Sequence, residues 1–307
     1  MKTYKRHSKL HDNLRNSFLA LVCRISPKLA ISIAYRGSLH KKMDWKNPKD
    51  LNEKINWLKI YGDTSRWAQL SDKYEVRGFI KERGAEELLV DLYGVWDNPD
   101  DIDFDKLPDR FVMKMNNGCN SVLLVKDKSS LDVEAVKQQF KKWMKMRFGL
   151  ATIELHYLDI KPRIIAEQLL ENDNKESESL VDYKFWCLDG EPYCVFVCID
   201  RVLNKGMRVA MYDTNWNLIP NMLDGPHKND NVEHVEKPAC FDQMLNYARI
   251  LSKGFPEVRV DLYESKGKVY FGEMTFTSQG GFMKYFTPEK LLEMGSRVTL
   301  PLIKKQY

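Results

Sequence analysis

The stretch from Val258 to Thr277 limits the possible folds more than any other. Val258, Val260 and Leu262 alternate with Arg259, Asp261 and Tyr263, the period-2 pattern of a strand with one face on a core. A second run, Val269 to Thr277, follows across Lys266-Gly267-Lys268, and the two read as a β-hairpin. With those three residues as the loop, Ser265 pairs with Val269, Asp261 falls opposite Glu273, and Arg259 opposite Thr275. Facing carboxylates destabilise a sheet unless a cation lies between them, and all-oxygen ligation suits magnesium when phosphates fill the other positions. Glu273 also stands among Phe271, Met274 and Phe276, where an ionised carboxylate needs a partner. A two-residue turn would instead slide the register by one and leave both carboxylates as ordinary solvent-facing residues.

Upstream of the hairpin, helices are expected over 52–61 and 71–83, the second stopped by Gly84, then a loop at Asp97-Asn98-Pro99-Asp100. Short apolar runs at 111–115 and 122–125 flank Asn116-Asn117-Gly118-Cys119-Asn120-Ser121, giving strand, polar loop, strand. A helix over 132–147 and strands over 164–170, 183–188, 193–200 and 207–212 follow, turning at Asp189-Gly190-Glu191-Pro192 and at Asn204-Lys205-Gly206. A loop through Pro220 and Pro226 leads to a helix over 241–253, stopped by Gly254 and Pro256, and a last helix begins at Pro288.

Two lysines sit inside strands, Lys114 in Phe-Val-Met-Lys-Met and Lys184 in Asp-Tyr-Lys-Phe-Trp-Cys. An ammonium in such company either snorkels from a half-exposed face or meets an anion, and a phosphate chain would serve. The loop 117–121 could offer backbone N–H groups to phosphate oxygens, although its single glycine does not make a Walker loop. Six cysteines without a Cys-x-x-Cys pair suggest neither a zinc site nor a disulfide framework, and are expected as reduced, mostly buried thiols. No role is assigned to His156, His227 or His234.

Together these pieces resemble the ATP-grasp superfamily, specifically the TupA-like branch named for teichuronopeptide biosynthesis. The resemblance rests on Asn47-Pro48-Lys49-Asp50-Leu51-Asn52-Glu53-Lys54-Ile55, Asp72-Lys73-Tyr74-Glu75-Val76-Arg77, Leu107-Pro108 running into Phe111-Val112-Met113-Lys114, Ile165-Ala166-Glu167-Gln168-Leu169, Asp182-Tyr183-Lys184-Phe185, Ile199-Asp200-Arg201, and the two hairpin strands. It implies an α+β ATP-grasp fold: an N-terminal, mainly helical region over 1–108, a small lid over 109–179, and a C-terminal antiparallel sheet with helices over 180–307. By the same resemblance Lys73, Lys114 and Lys184 contact the nucleotide, and Glu167, Gln168 and Leu169 form the hinge beside adenine. Asp261 and Glu273 bind Mg²⁺, and Arg259, with Lys114, acts on the transferred phosphate of ATP. Where relatives tend to show Asn-His-Gly-Ser-Gly, this chain has Asn116-Asn117-Gly118-Cys119-Asn120. Thr275 stands where the superfamily often has Asn, and is read as a substrate contact.

The implied activity is ATP-dependent ligation of a carboxylate to an amine through an acyl phosphate, here amidation of a uronic acid in a cell-surface polysaccharide by an amino acid. The partners are then a carboxylate-bearing glycan or its lipid-linked precursor and the amine. The competing expectations are a kinase acting on a glycan hydroxyl and a non-catalytic glycan-assembly subunit. Residues 1–49 carry twelve Lys and Arg against Asp12 and Asp44, a net +10 in a chain of net +5. That head reads either as a basic helical pair packed on the body or as a surface for an anionic membrane or polymer. Its apolar runs are too short to span a bilayer, which takes ~20 residues, and no secretory signal is evident. A cytoplasmic protein is expected, peripheral at the inner face of the plasma membrane if the head is such a surface; beyond the basic head no nucleic-acid motif is present.

Overall fold

The computed structural model describes residues 9–150, 152–175, 177–202, 206–224 and 234–302. Asn204, Lys205, Pro226 and His227 lie outside them. The head is a pair of helices, α1 (Lys9–Ile25) and α2 (Pro27–Leu39), hinged at Ser26, whose hydroxyl accepts from Leu29 N while Pro27 fills the first helical position. In α3 (Leu51–Tyr61), Asp50 and Glu53 form a reciprocal capping box. The other helices are α4 (Trp67–Ser71), α5 (Val76–Glu82), α6 (Val133–Met144), α7 (Phe241–Ser252) and α8 (Pro288–Ser296).

Where one helix over 71–83 is expected, the structure has two, α4 and α5, with a break at Asp72–Glu75. The cause is local: the Asp72 carboxylate accepts from Tyr74 N at 2.8 Å and Glu75 N at 3.2 Å, offering the backbone a turn in place of helical bonds. That break is where Lys73 sits.

Nine strands among the described residues form two antiparallel sheets. The first contains β1 (Leu92–Trp96), β2 (Phe111–Met115), β3 (Val122–Val125) and β4 (Ile164–Gln168) in the order β1-β4-β2-β3, with α6 packed on it through Val136 and Phe140. No strand is expected from the sequence at 92–96; Gly94 interrupts its alternation, and the pairing shifts between Leu92 and Gly94. The second sheet contains β5 (Asp182–Leu188), β6 (Glu191–Val202), β7 (Gly206–Asp213), β8 (Glu257–Ser265) and β9 (Lys268–Thr275) in the order β7-β6-β5-β8-β9. Phe185, Val195 and Val260 face Phe241, Met244 and Leu251 of α7, while Trp186, Cys194 and Phe196 face Leu291 and Met294 of α8 and Leu51 and Ile55 of α3.

The closing hairpin differs from expectation in an instructive way. Its turn has two residues, not three: Ser265 pairs with Lys268, and Lys266 and Gly267 take φ of 52° and 70°, the left-handed pair of a type I′ turn. That alone would put Asp261 opposite Gly272. A bulge at Gly272 inserts one extra residue into β9, so Leu262 pairs with Phe271 but Asp261 pairs with Glu273 and Arg259 with Thr275. The loop expectation is corrected; the facing carboxylates stand.

Candidate functional site

The β8–β9 pairing brings Arg259, Asp261, Glu273 and Thr275 to one face, and cross-strand pairing of Lys184 with Asp261 adds β5. Arg259 lies between the two carboxylates. Its Nε donates to Asp261 Oδ1 at 2.7 Å; its Nη2 donates to Asp261 Oδ2 at 2.8 Å, Glu273 Oε1 at 2.9 Å and Thr275 Oγ1 at 3.1 Å; its Nη1 donates to Ser278 Oγ at 3.2 Å. Lys184 Nζ donates to Asp261 Oδ2 at 2.6 Å and lies 3.5 Å from Asp182 Oδ1. The cation that facing carboxylates require is therefore supplied within the chain.

The energetics follow from burial. Desolvation would raise the Asp261 carboxyl, but Arg259 and Lys184 outweigh it and hold its pKa at about 2. Burial works against the Lys184 ammonium, and Asp261 and Asp182 overcome it, raising its pKa above the ordinary lysine value. Glu273 is the most open member: 38% of its side chain is exposed, against 2% for Asp261 and 14% for Arg259.

A second group lies on the first sheet. Lys114 Nζ is 2.5 Å from Glu167 Oε2, and Arg77 Nη1 is 3.4 Å from Glu167 Oε1. Gln168 ends β4, with its N–H donated to Asp91 O, and Leu169 follows it, half-buried. Lys73 stands between the groups. Its backbone N–H donates to Asn116 O, its Nζ donates to Gly118 O at 2.7 Å, and its Nζ lies 3.9 Å from Glu273 Oε2. Burial lowers the Lys73 ammonium, with Glu273 opposing and Lys114 reinforcing, so this lysine feels both groups. The loop after β2 is tied to the helix break: Asn116 Nδ2 donates to Asp72 Oδ2 at 2.8 Å, and Asn116 Oδ1 accepts from Arg163 N at 2.7 Å.

Arg259, Asp261, Glu273, Lys184 and Lys73 thus form one network, and Lys114 and Glu167 a second that Lys73 adjoins. The Glu167 carboxylate is engaged by Lys114 and Arg77. Asp182, Arg77 and Ser278 were missed in the sequence. Asp182 was findable, since alternation puts it on the same face as Lys184. His156 is a core residue, edge-on to Trp67 with ring centroids 5.5 Å apart, and burial beside Lys59 lowers its pKa to about 3. None of the six cysteines is in a disulfide, and of the six Cys119 alone is exposed.

Both Asp261 oxygens are taken up by Arg259 and Lys184, which leaves Glu273 as the more open oxygen donor toward a magnesium ion. No group of three or more His, Cys, Asp and Glu able to hold a metal exists among the described residues, and two carboxylates alone match an ion that keeps its other positions for phosphate oxygens and water. Lys73 Nζ lies 3.9 Å from Glu273 Oε2.

The TupA-like ATP-grasp family model matches residues 53–298, and the chain belongs to that family. No curated protein matches it. Among solved structures, it is similar to the ATP-grasp ligase PsnB complexed with minimal precursor (12% identity, TM-score 0.38, covering 73% of this chain and 59% of that one). It is also similar to D-alanine–D-alanine ligase from Bacillus anthracis complexed with ATP (15%, 0.45, 86% and 72%). A third is N5-carboxyaminoimidazole synthase from Aspergillus clavatus in complex with ADP and 5-aminoimidazole ribonucleotide (9%, 0.41, 69% and 45%). The chain spans 59% of the length of the PsnB structure.

Proposed function

We propose that this TupA-like ATP-grasp chain joins a carboxylate to an amine at the expense of ATP. The observation that carries the reading is the Asp261–Glu273 pair on one sheet face, flanked by Arg259, Lys184 and Lys73. Glu273 and Asp261 would hold magnesium, which supplies neutralising charge at the phosphates when bound. Lys73, Lys114 and Lys184 bind the nucleotide phosphates, and the backbone of 167–169 lies along the base.

Arg259 has the central task. Its guanidinium now spans both carboxylates, and an incoming phosphoryl group offers the same planar fork new oxygen partners. An oxygen of the substrate carboxylate attacks the γ-phosphorus while the bond to ADP breaks. Arg259 and Lys184 then stabilise charge on the transferring group in a largely dry setting. The amine nitrogen attacks the acyl carbon, phosphate leaves, and the nitrogen loses a proton. No protein nucleophile is needed. For the substrates we propose a uronic acid carboxyl of a cell-surface glycan, or of its lipid-linked precursor, and an amino acid.

The test is mass spectrometry of products formed from magnesium-ATP, a panel of uronic acid glycans and an amino-acid mixture, with Lys114→Ala as control. A product equal to glycan plus amino acid minus water, absent in the control, is expected. A phosphorylated glycan would replace the ligase reading with a kinase.

A further inference from the structure

A surface helix normally buries one apolar stripe and turns a polar face to water. α1 does not. Leu19 and Cys23 are buried against the body, Cys23 beside Ala30, Ile31 and Ile153. On the opposite side Leu14, Phe18, Leu21 and Ile25 are 63%, 53%, 60% and 80% exposed. At 3.6 residues per turn these four fall within an arc of roughly 60°, a continuous stripe along the helix. α2, packed against α1, also exposes Leu29 and Ile33. An exposed apolar strip of this kind marks an interaction surface.

Charge says what the strip meets. Arg15 and Arg24 lie on either side of it, roughly a quarter-turn from its midline, and Arg15, Arg24, Lys28 and Arg36 are all exposed. Residues 1–49 hold the net +10, while the remainder of the chain is net −5. A second copy of the chain would bring a like-charged surface against this one. An anionic lipid surface meets both needs, taking the apolar side chains among acyl chains and the cations among headgroups. Apolar insertion and basic residues together supply the two signals that stable peripheral binding takes. Among the described residues no helix is long and apolar enough to cross a membrane, so the pair would lie on the surface.

We infer that the outward faces of α1 and α2 seat this protein on an anionic membrane surface through Leu14, Phe18, Leu21 and Ile25, with Arg15 and Arg24 at the headgroups. The test is flotation of the full chain with phosphatidylcholine vesicles, with and without phosphatidylglycerol. Binding is expected to the anionic vesicles and to fall at high salt. Phe18→Ser/Ile25→Ser should lower partitioning at least about tenfold, and Arg15→Glu/Arg24→Glu should abolish the preference for anionic lipid. These side chains lie outside the core, so both variants should keep the wild-type thermal midpoint. Absence of binding, equal binding to both vesicle types, or binding unchanged in Phe18→Ser/Ile25→Ser would each overturn the inference. So would a dimer in sedimentation velocity that this variant dissociates, since a second copy would then cover the strip.

Discussion

Substituting Gly272 by alanine tests the bulge on which the site depends. A Cβ built there would lie 2.9 Å from the carbonyl oxygen of Asp261 and 2.8 Å from Cε2 of Tyr263, where ordinary contact begins at 3.4 Å. Relief requires a movement of roughly 0.5 Å, and one of the atoms that must move belongs to the backbone of Asp261. Overpacking of this size costs about 1–3 kcal/mol. At about 2–4 °C per kcal/mol for a chain of this class, Gly272→Ala should lower the thermal midpoint by about 2–12 °C. The site should suffer more than the fold, because a binding constellation tolerates only about 0.5 Å of misplacement. Differential scanning fluorimetry and calorimetric titration with magnesium-ATP read the two effects, and a rise in Kd of about tenfold is expected. A variant with wild-type midpoint and wild-type affinity would refute the argument that the bulge aligns Asp261 with Glu273.

Three further outcomes follow from the same geometry. The Asp261 pKa of about 2 lies below its ordinary 3.8, so its stabilising contribution is present above pH 3.8 and is lost as pH falls through 2. That contribution is on the order of 2 kcal/mol, and urea melts should show the gap between wild type and Asp261→Asn narrowing from pH 4 towards pH 2. Lys114→Ala removes the charge-assisted partner proposed for phosphate and should weaken ATP binding about tenfold or more by calorimetry. Cys119 is the one exposed thiol and neighbours Gly118, which holds Lys73; one equivalent of a thiol reagent should react in the native protein, six in denaturant, and magnesium-ATP should slow the first.

Alternation along β8 identified the polar face carrying Arg259 and Asp261, and the facing of Asp261 and Glu273 was reached from it. The route contained two compensating errors of one residue, a turn taken as three residues and a bulge not anticipated. Period-2 patterning cannot resolve either, since a turn and a bulge both act by changing the count between strands. The break at Asp72–Glu75 was hidden because the competing bonds come from one side chain, which helical periodicity does not register. The Arg77–Glu167 contact joins residues 90 apart in the chain, a proximity that no local pattern encodes. β1 was obscured by Gly94, where a bulge interrupts its pairing with β4.

The central claim is that Asp261 and Glu273 serve a magnesium-bound nucleotide. Calorimetric titration of the full chain with ATP, with and without Mg²⁺, in wild type and Glu273→Gln, tests it most directly. The account predicts binding that strengthens with Mg²⁺ in wild type and loses that dependence in the variant, whose amide keeps the shape of the side chain but not its charge. Absence of nucleotide binding, or binding indifferent to both Mg²⁺ and the substitution, would contradict it.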